Sequence, residues 1–279
     1  MKSLRKLLLL ALAATTMTAC VKDELYHTPH PQRAALVVTT DWSSRSPEAP
    51  LPSSYFVCVD TVAMEVLDVT NRFPYLLTEG SHALLVYNQP SGIQIDGLQA
   101  SVVAVGPGEV EACPGYLYSA ARTFQAVADD SVYVEVGMQQ RVRCLELQLR
   151  PASGEYGRIA SVGCTLTGLS PAVGLATGSL DPTPVQAHTP CTVGPDCCTA
   201  RFHLLGIVPA AQQLLTIDIR FDNGDTQTIV SDITGQLAAF DTERLPLRLT
   251  AMLDLPAEPG LAATIGPWQV VPVGNIDAQ

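Results

Sequence analysis

From residue 34 onward the chain is cut into short runs in which apolar and β-branched residues recur at every second position. The runs are "AALVVTTD" (34–41), "SYFVCVD" (54–60), "HALLVYN" (82–88), "LQASVVAV" (98–105) and "SVYVEV" (131–136), and Gly, Pro, Ser and Asn cluster between them. A period of two places alternate side chains on one face of a pleated strand, and short strands at this spacing build sandwiches. The pattern predicts an all-β chain. One segment, 118–128 ("YSAARTFQAVA"), is open between a short helix and a strand.

The second half repeats the style. In "QRVRCLELQLRP" (140–151), Val142, Cys144, Glu146 and Gln148 alternate with Arg141, Arg143, Leu145, Leu147 and Leu149. The apolar character changes faces partway, so this strand is expected to cross from one packing environment to another. "RIASVGCTLTGL", "ARFHLLGI", "LLTIDIRFDNGDTQTIVSDIT" and "LPLRLTAMLDL" follow. Within the third of these, Asn223-Gly224 between two β runs predicts a hairpin with a type I′ turn, which needs positive φ at both central residues. Asp222, Asn223 and Asp225 are oxygen donors, but the loop has neither the ligand number nor the bidentate Glu of a calcium loop; the hairpin accounts for them without metal. A boundary near residue 138, inside "DDSVYVEVGMQQ", divides the body into an N-terminal sandwich, 34–138, and a C-terminal sandwich, 139–279.

Ahead of the first strand lies a processing signal. Lys2, Arg5 and Lys6 precede the apolar "LLLLALAA" (7–14), which is too short to span a bilayer, where about 20 residues are needed. Met17, Thr18 and Ala19 then lead to Cys20, the pattern of a bacterial lipoprotein signal (1–19), with cleavage between Ala19 and Cys20 and acylation of the Cys20 thiol. The alternative is ordinary secretory cleavage beside an incidental cysteine. More than one acyl chain on Cys20 meets the condition for stable membrane attachment. Residues 20–33, with His27, His30 and two prolines, form a lipidated tether, and "VKDE" (21–24) resembles the acidic export signal of surface lipoproteins in Bacteroidetes.

Three of the sixteen basic residues and none of the 27 acidic ones fall in the leader, so the rest carries 13 against 27, a formal charge of −14. Binding nucleic acid requires Lys/Arg clusters against phosphate, which this balance opposes. His27, His30, His82, His188 and His203 are scattered, and no G-x-S-x-G, H-E-x-x-H or P-loop pattern occurs. No catalytic or metal residue is therefore assigned, no cofactor is implied, and the protein is not expected to be an enzyme. Seven cysteines follow Cys20. Cys58 and Cys144 sit in apolar runs as small hydrophobes. "PCTVGPDCC" places Cys191 in one loop with Cys197 and Cys198, where a disulfide from Cys191 to either is a candidate; three thiols with a distant His188 or His203 do not match paired zinc-ligand spacing. Trp42 and Trp268 have two readings, exposed platforms for a sugar ring or half-buried plugs sealing a sandwich end.

Several stretches together carry a family resemblance. "ELYHTPHPQRAALVVTTDWS" (24–43), "LLTEGSHALLVYNQ" (76–89), "CTLTGLSPAVGLATG" (164–178) and "IRFDNGDTQTIVSDITGQL" (219–237) are similar to segments of Bacteroides surface lipoproteins related to the fimbrillin-A-associated anchor proteins, across most of the chain after the leader. The resemblance implies two tandem transthyretin-like Greek-key β-sandwich domains, held in the outer membrane by lipid on Cys20. It also implies service as a fimbrial anchor or minor subunit, with fimbrial subunits as partners by strand addition. In polymerising fimbrillins a protease removes an N-terminal segment after an arginine. Here a cut at Arg33 would remove only the tether, so an uncleaved anchor is expected. The alternative function is a surface lipoprotein that binds a glycan or other ligand.

Overall fold

A computed structural model describes residues 32–272, apart from 155, 243–244 and 256–261. The alternating runs form strands. The first half carries β1 (Arg33–Asp41), β2 (Tyr55–Val59), β3 (Val62–Val66), β4 (Thr70–Arg72), β5 (Leu77–Thr78), β6 (Gly80–Tyr87), β7 (Ile93–Asp96), β8 (Gln99–Val102), β9 (Ala104–Gly106), β10 (Glu109–Val110), β11 (Tyr118–Ala126), β12 (Ser131–Gly137) and β13 (Gln139–Gln140). The second carries β14 (Arg143–Ser153), β15 (Ile159–Leu169), β16 (Ala172–Gly174), β17 (Val185–Pro190), β18 (Thr192–Val193), β19 (Cys198–Leu204), β20 (Leu214–Phe221), β21 (Thr226–Asp232), the single-turn helix α1 (Thr234–Leu237), β22 (Leu247–Asp254), β23 (Thr264–Ile265) and β24 (Gln269–Val271). The segment left open between helix and strand is β11, which pairs along its length with β6 from Ser119↔Tyr87 to Ala126↔Gly80.

Two apolar cores organise these strands. The first lies between the sheet β12-β1-β4 and the sheet β13-β11-β6-β2-β3. Ala34, Leu36 and Val38 of β1 meet Val57, Leu84, Val86 and Phe124 there. The second core takes Leu145, Leu147 and Leu149 of β14 together with Phe202, Leu249, Leu166 and Ile217. It lies between β18-β19-β14-β22-β23 and β21-β20-β15-β17-β10-β9. The expected change of face in β14 falls at Cys144 and Leu145, two consecutive buried residues.

Each core is closed by a parallel pair between an early and a late strand. β1 runs parallel to β12, Ala35 opposite Ser131, and β14 runs parallel to β22, Leu145 opposite Leu247. Parallel neighbours cannot be joined by a tight turn, so the chain between them must cross the sandwich and return. The opening strand of each half is thereby held on both sides.

The segment between β6 and β11 leaves the first core. Ile93, Ala100, Val102, Val110, Ala112 and Leu117 are all buried in the second. β8 pairs with β16, and β10 runs parallel to β17. Asn88 clips the base of this excursion: its Nδ2 donates to the Tyr116 carbonyl (2.9 Å), while its Oδ1 accepts from the Tyr118 N–H (2.7 Å). Arg141 Nε donates to Ser119 Oγ, which in turn donates to the Leu175 carbonyl (2.6 Å), joining the halves again. The described residues from Arg33 onward form one compact unit.

The hairpin at Asn223-Gly224 forms as expected, but not with a type I′ turn. Only Gly224 has positive φ (+91°); Asn223 does not. The Gly224 N–H donates to the Phe221 carbonyl and the Phe221 N–H to the Asp225 carbonyl (2.9 Å), so a right-handed turn is followed by a left-handed glycine. Asn223 Nδ2 donates to Asp225 Oδ2 (2.7 Å) and the Asp225 N–H to Asn223 Oδ1 (3.1 Å), bonds that brace the longer loop and relieve Asn223 of a left-handed backbone.

Candidate interaction surface

The described chain enters the fold at Arg33. This residue pairs with Thr78 of β5, and its carbonyl accepts from the Asp129 N–H (3.2 Å). The next residue, Ala34, is fully buried. Whatever precedes Arg33 is therefore joined directly to a central strand, a geometry suited to bearing tension because β1 is bonded to β12 on one side and to β4 and β5 on the other. Ala19, Cys20, His27 and His30 lie outside the described residues.

Sheet edges are the surfaces available for another chain. β21 ends its sheet, pairs only with β20 among the described strands, and presents Val230 59% exposed. β3 ends the five-stranded sheet of the first core, with Val62 exposed. An unpaired edge offers backbone N–H and C=O groups to an incoming strand. A cleft of about 610 Å³ lies near the start of β2, rimmed by Ser53, Ser54, Glu65, Gln89 and Tyr116. Asn88 borders it, but the two hydrogen bonds of its clip already engage its amide.

The indoles do not form an exposed platform. Trp42 is half-buried, edge-on to Tyr55 and Tyr118 (centroids 5.4 Å from each), and its Nε1 donates to Thr40 Oγ1 (2.9 Å). Trp268 is buried in the second core, where its Nε1 has no hydrogen-bond partner among the described residues. The two rings seal different cores, which removes the paired-Trp platform from the sugar-binding alternative.

The described histidines are engaged within the fold. His82 Nδ1 meets Asp60 Oδ2 at 2.7 Å and its Nε2 meets the Thr78 carbonyl at 2.8 Å. Both contacts suit the doubly protonated ring. The Asp60 hydrogen bond, then the Thr78 carbonyl, raise its pKa above the ordinary histidine value. Asp60 is lowered in turn, first by His82 and then by the Ala83 N–H. His203 donates from Nδ1 to the Pro114 carbonyl (2.9 Å) and lies against the Tyr116 ring; burial holds its pKa below the ordinary value. His188 Nδ1 bonds Thr165 Oγ1 (3.1 Å).

All seven cysteines after Cys20 are free thiols. Cys191 has its sulfur 3.2 Å from that of Cys164, on the neighbouring strand, and Cys198 contacts Tyr156 Oη (3.2 Å). Neither contact has a signal in the sequence, since the partners are far apart along the chain and only strand register joins them.

No protein-family model matches the chain, and no curated protein does. Solved structures do share its fold. A candidate adhesin from Bacteroides ovatus superposes with a TM-score of 0.59 at 14% identity, covering 85% of this chain and 93% of that one. The fimbrial anchor protein Mfa2 from Porphyromonas gingivalis gives 0.58 at 11% identity, over 85% of this chain and 97% of that one. A candidate polysaccharide-binding protein from Bacteroides thetaiotaomicron gives 0.56 at 7% identity, over 87% and 99%. What is common at these identities is the all-β fold, spanning nearly the whole of each relative.

Proposed function

We propose that this protein is a lipid-anchored structural protein of the cell surface, an anchor or minor subunit of fimbriae. The observation that carries the reading is the fold shared with the fimbrial anchor Mfa2 across 85% of the chain. The leader and Cys20 supply the outer-membrane attachment, and residues 20–33 the tether. The body is read as two transthyretin-like Greek-key sandwiches, 34–138 and 139–279, with the excursion after β6 lending its apolar residues to the second. The anchor is retained uncleaved, because Arg33 is already bonded within the first sheet and a cut there would release the fold from its lipid while leaving β1 in place. Partner subunits are met by strand addition, for which the open edges of β21 and β3 are suited. No catalytic role is assigned.

The test compares surface filaments sheared from matched cells with and without the gene, imaged and probed with antibody to the protein. Filaments shed into the medium or altered in length on deletion, with antibody at the filament base in the parent, support anchoring. Unchanged filaments, with the protein present on the surface but away from them, overturn it.

A further inference from the structure

We propose that Cys164 and Cys191 are a disulfide-forming pair that staples β15 to the strand leading into the 191–198 loop. β15 and β17 run antiparallel with Gly163 opposite Pro190 and Cys164 opposite Thr189, and the Cys191 N–H donates to the Val162 carbonyl (2.8 Å). Cys191 thus continues the ladder one residue past β17, on the diagonal from Cys164. The two sulfurs lie 3.2 Å apart, and a bond asks them to close by about 1 Å.

The nearby thiols are placed differently. Cys198 belongs to β19, on the opposite sheet, opposite Leu149 of β14, with its sulfur on the Tyr156 hydroxyl. The Cys197 carbonyl accepts from the Gly194 N–H, closing a small turn within the loop. Of the three thiols in this stretch of sequence, Cys191 is the one in contact with a thiol outside the loop.

The chemistry follows from exposure. Cys164 is fully buried and Cys191 partly open to solvent. The Cys191 thiolate attacks a sulfur of a disulfide-bearing oxidant, such as oxidised glutathione or an envelope dithiol oxidase, and expels one oxidant thiol. Cys164 then displaces the second from the mixed disulfide. Two protein S–H bonds and the oxidant's S–S bond break and one protein S–S bond forms; the two electrons pass to the oxidant, and the two protons, exchanged through solvent, end on its sulfurs, so that it leaves as two thiols. The contact with Cys191, followed by burial, raises the pKa of Cys164, so its thiolate is scarce and the first attack falls to the solvent-open Cys191. A chain exported through an oxidising compartment would keep such a bond.

The test uses the full chain, purified reduced and then incubated folded with oxidised glutathione. The reaction is quenched in acid and alkylated after denaturation, and the protein is analysed by intact mass and peptide mapping. The expected product has lost the mass of two hydrogens, has two fewer alkylated thiols than the reduced control, and yields a peptide joining Cys164 to Cys191. Its Tm rises by several degrees over the reduced form. Cys191→Ser, at the partly open position, should fold and show neither the cross-link nor the Tm rise. Full alkylation of both thiols, a glutathione adduct stalled on Cys191, or a cross-link from Cys191 to Cys197 or Cys198 would each overturn the proposal.

Discussion

Asp60 occupies one of the two central positions of the Asp60-Thr61 turn between β2 and β3, with a positive φ of +53°. A non-glycine residue pays for that conformation, and Asp and Asn tolerate it best. The carboxylate offsets the strain by holding the His82 ring and the Ala83 N–H. Since the folded pKa of His82 is raised, its contribution is complete below the unfolded value near 6.5 and fades as pH climbs through the folded one. Asp60 is lowered, so its contribution is present above about 3.8 and fades as pH falls through the folded value. Asp60→Asn keeps the turn and removes the charge. The His82 ring, followed by NMR titration, should move toward its ordinary pKa, and the Tm difference from the parent should be largest between the two limits, shrinking as pH climbs through the folded His82 value and as it falls through the folded Asp60 value. A His82 titration unchanged in the variant would refute the pairing. None of this was legible in the sequence, where His82 reads only as the start of a strand, because Asp60, in the turn after β2, meets it only once β2 and β6 have paired.

At the scale of elements, the hairpin of β20 and β21 shows what sequence reasoning reached and what it missed. The apolar alternation of "IDIRF" and the Asn-Gly signal located both strands and the turn. The turn type escaped because Asn223 and Asp225 hydrogen-bond each other, a contact available only when the loop has one residue more than the two-residue form. Gly224 alone carries the left-handed conformation, and a Cβ there would meet nothing within 4 Å. Gly224→Ala is therefore a pure backbone test: it should cost about 1 kcal/mol, seen as a lower denaturant midpoint with unchanged slope. On the same hairpin, Val230 stands exposed on the edge strand. Val230→Lys places a charge where an incoming strand would lie, a device that natural edges use to block pairing. Stability should change by less than about 0.5 kcal/mol. If β21 is the docking edge, co-purification of the protein with sheared filaments should fall; undiminished recovery would direct attention to β3.

On the scale of the whole molecule, the excursion between β6 and β11 decides how the two halves behave. Periodicity marked 98–105 as one strand, which the structure divides into β8 and β9, and signalled neither β7 and β10 nor the destination of the segment, since "LQASVVAV" alternates equally well against either core. Ile93, Val102, Val110 and Leu117 precede the parallel closure of the first sandwich by β12, yet they are buried against β14 to β22. Each large aliphatic returned to water costs about 1.5–3 kcal/mol, so four of them represent a substantial fraction of the roughly 5–15 kcal/mol that stabilises a domain. The two cores should accordingly unfold as one. Scanning calorimetry of residues 33–279 is expected to show a single transition whose calorimetric and van't Hoff enthalpies agree. A fragment of residues 33–138 should pair β1 with β12 poorly or expose the excursion, giving dye-binding apolar surface and broad amide signals for 93–117. Two separate transitions, or a fragment with sharp, dispersed amide signals throughout, would show that the first sandwich stands alone and that the excursion is an appendage to it. Asn88→Ala distinguishes the clip from the packing. Its removal leaves the Tyr118 N–H without its acceptor and should lower Tm by a few degrees, about 1–2 kcal/mol, without splitting the transition, because the apolar contacts that couple the cores remain.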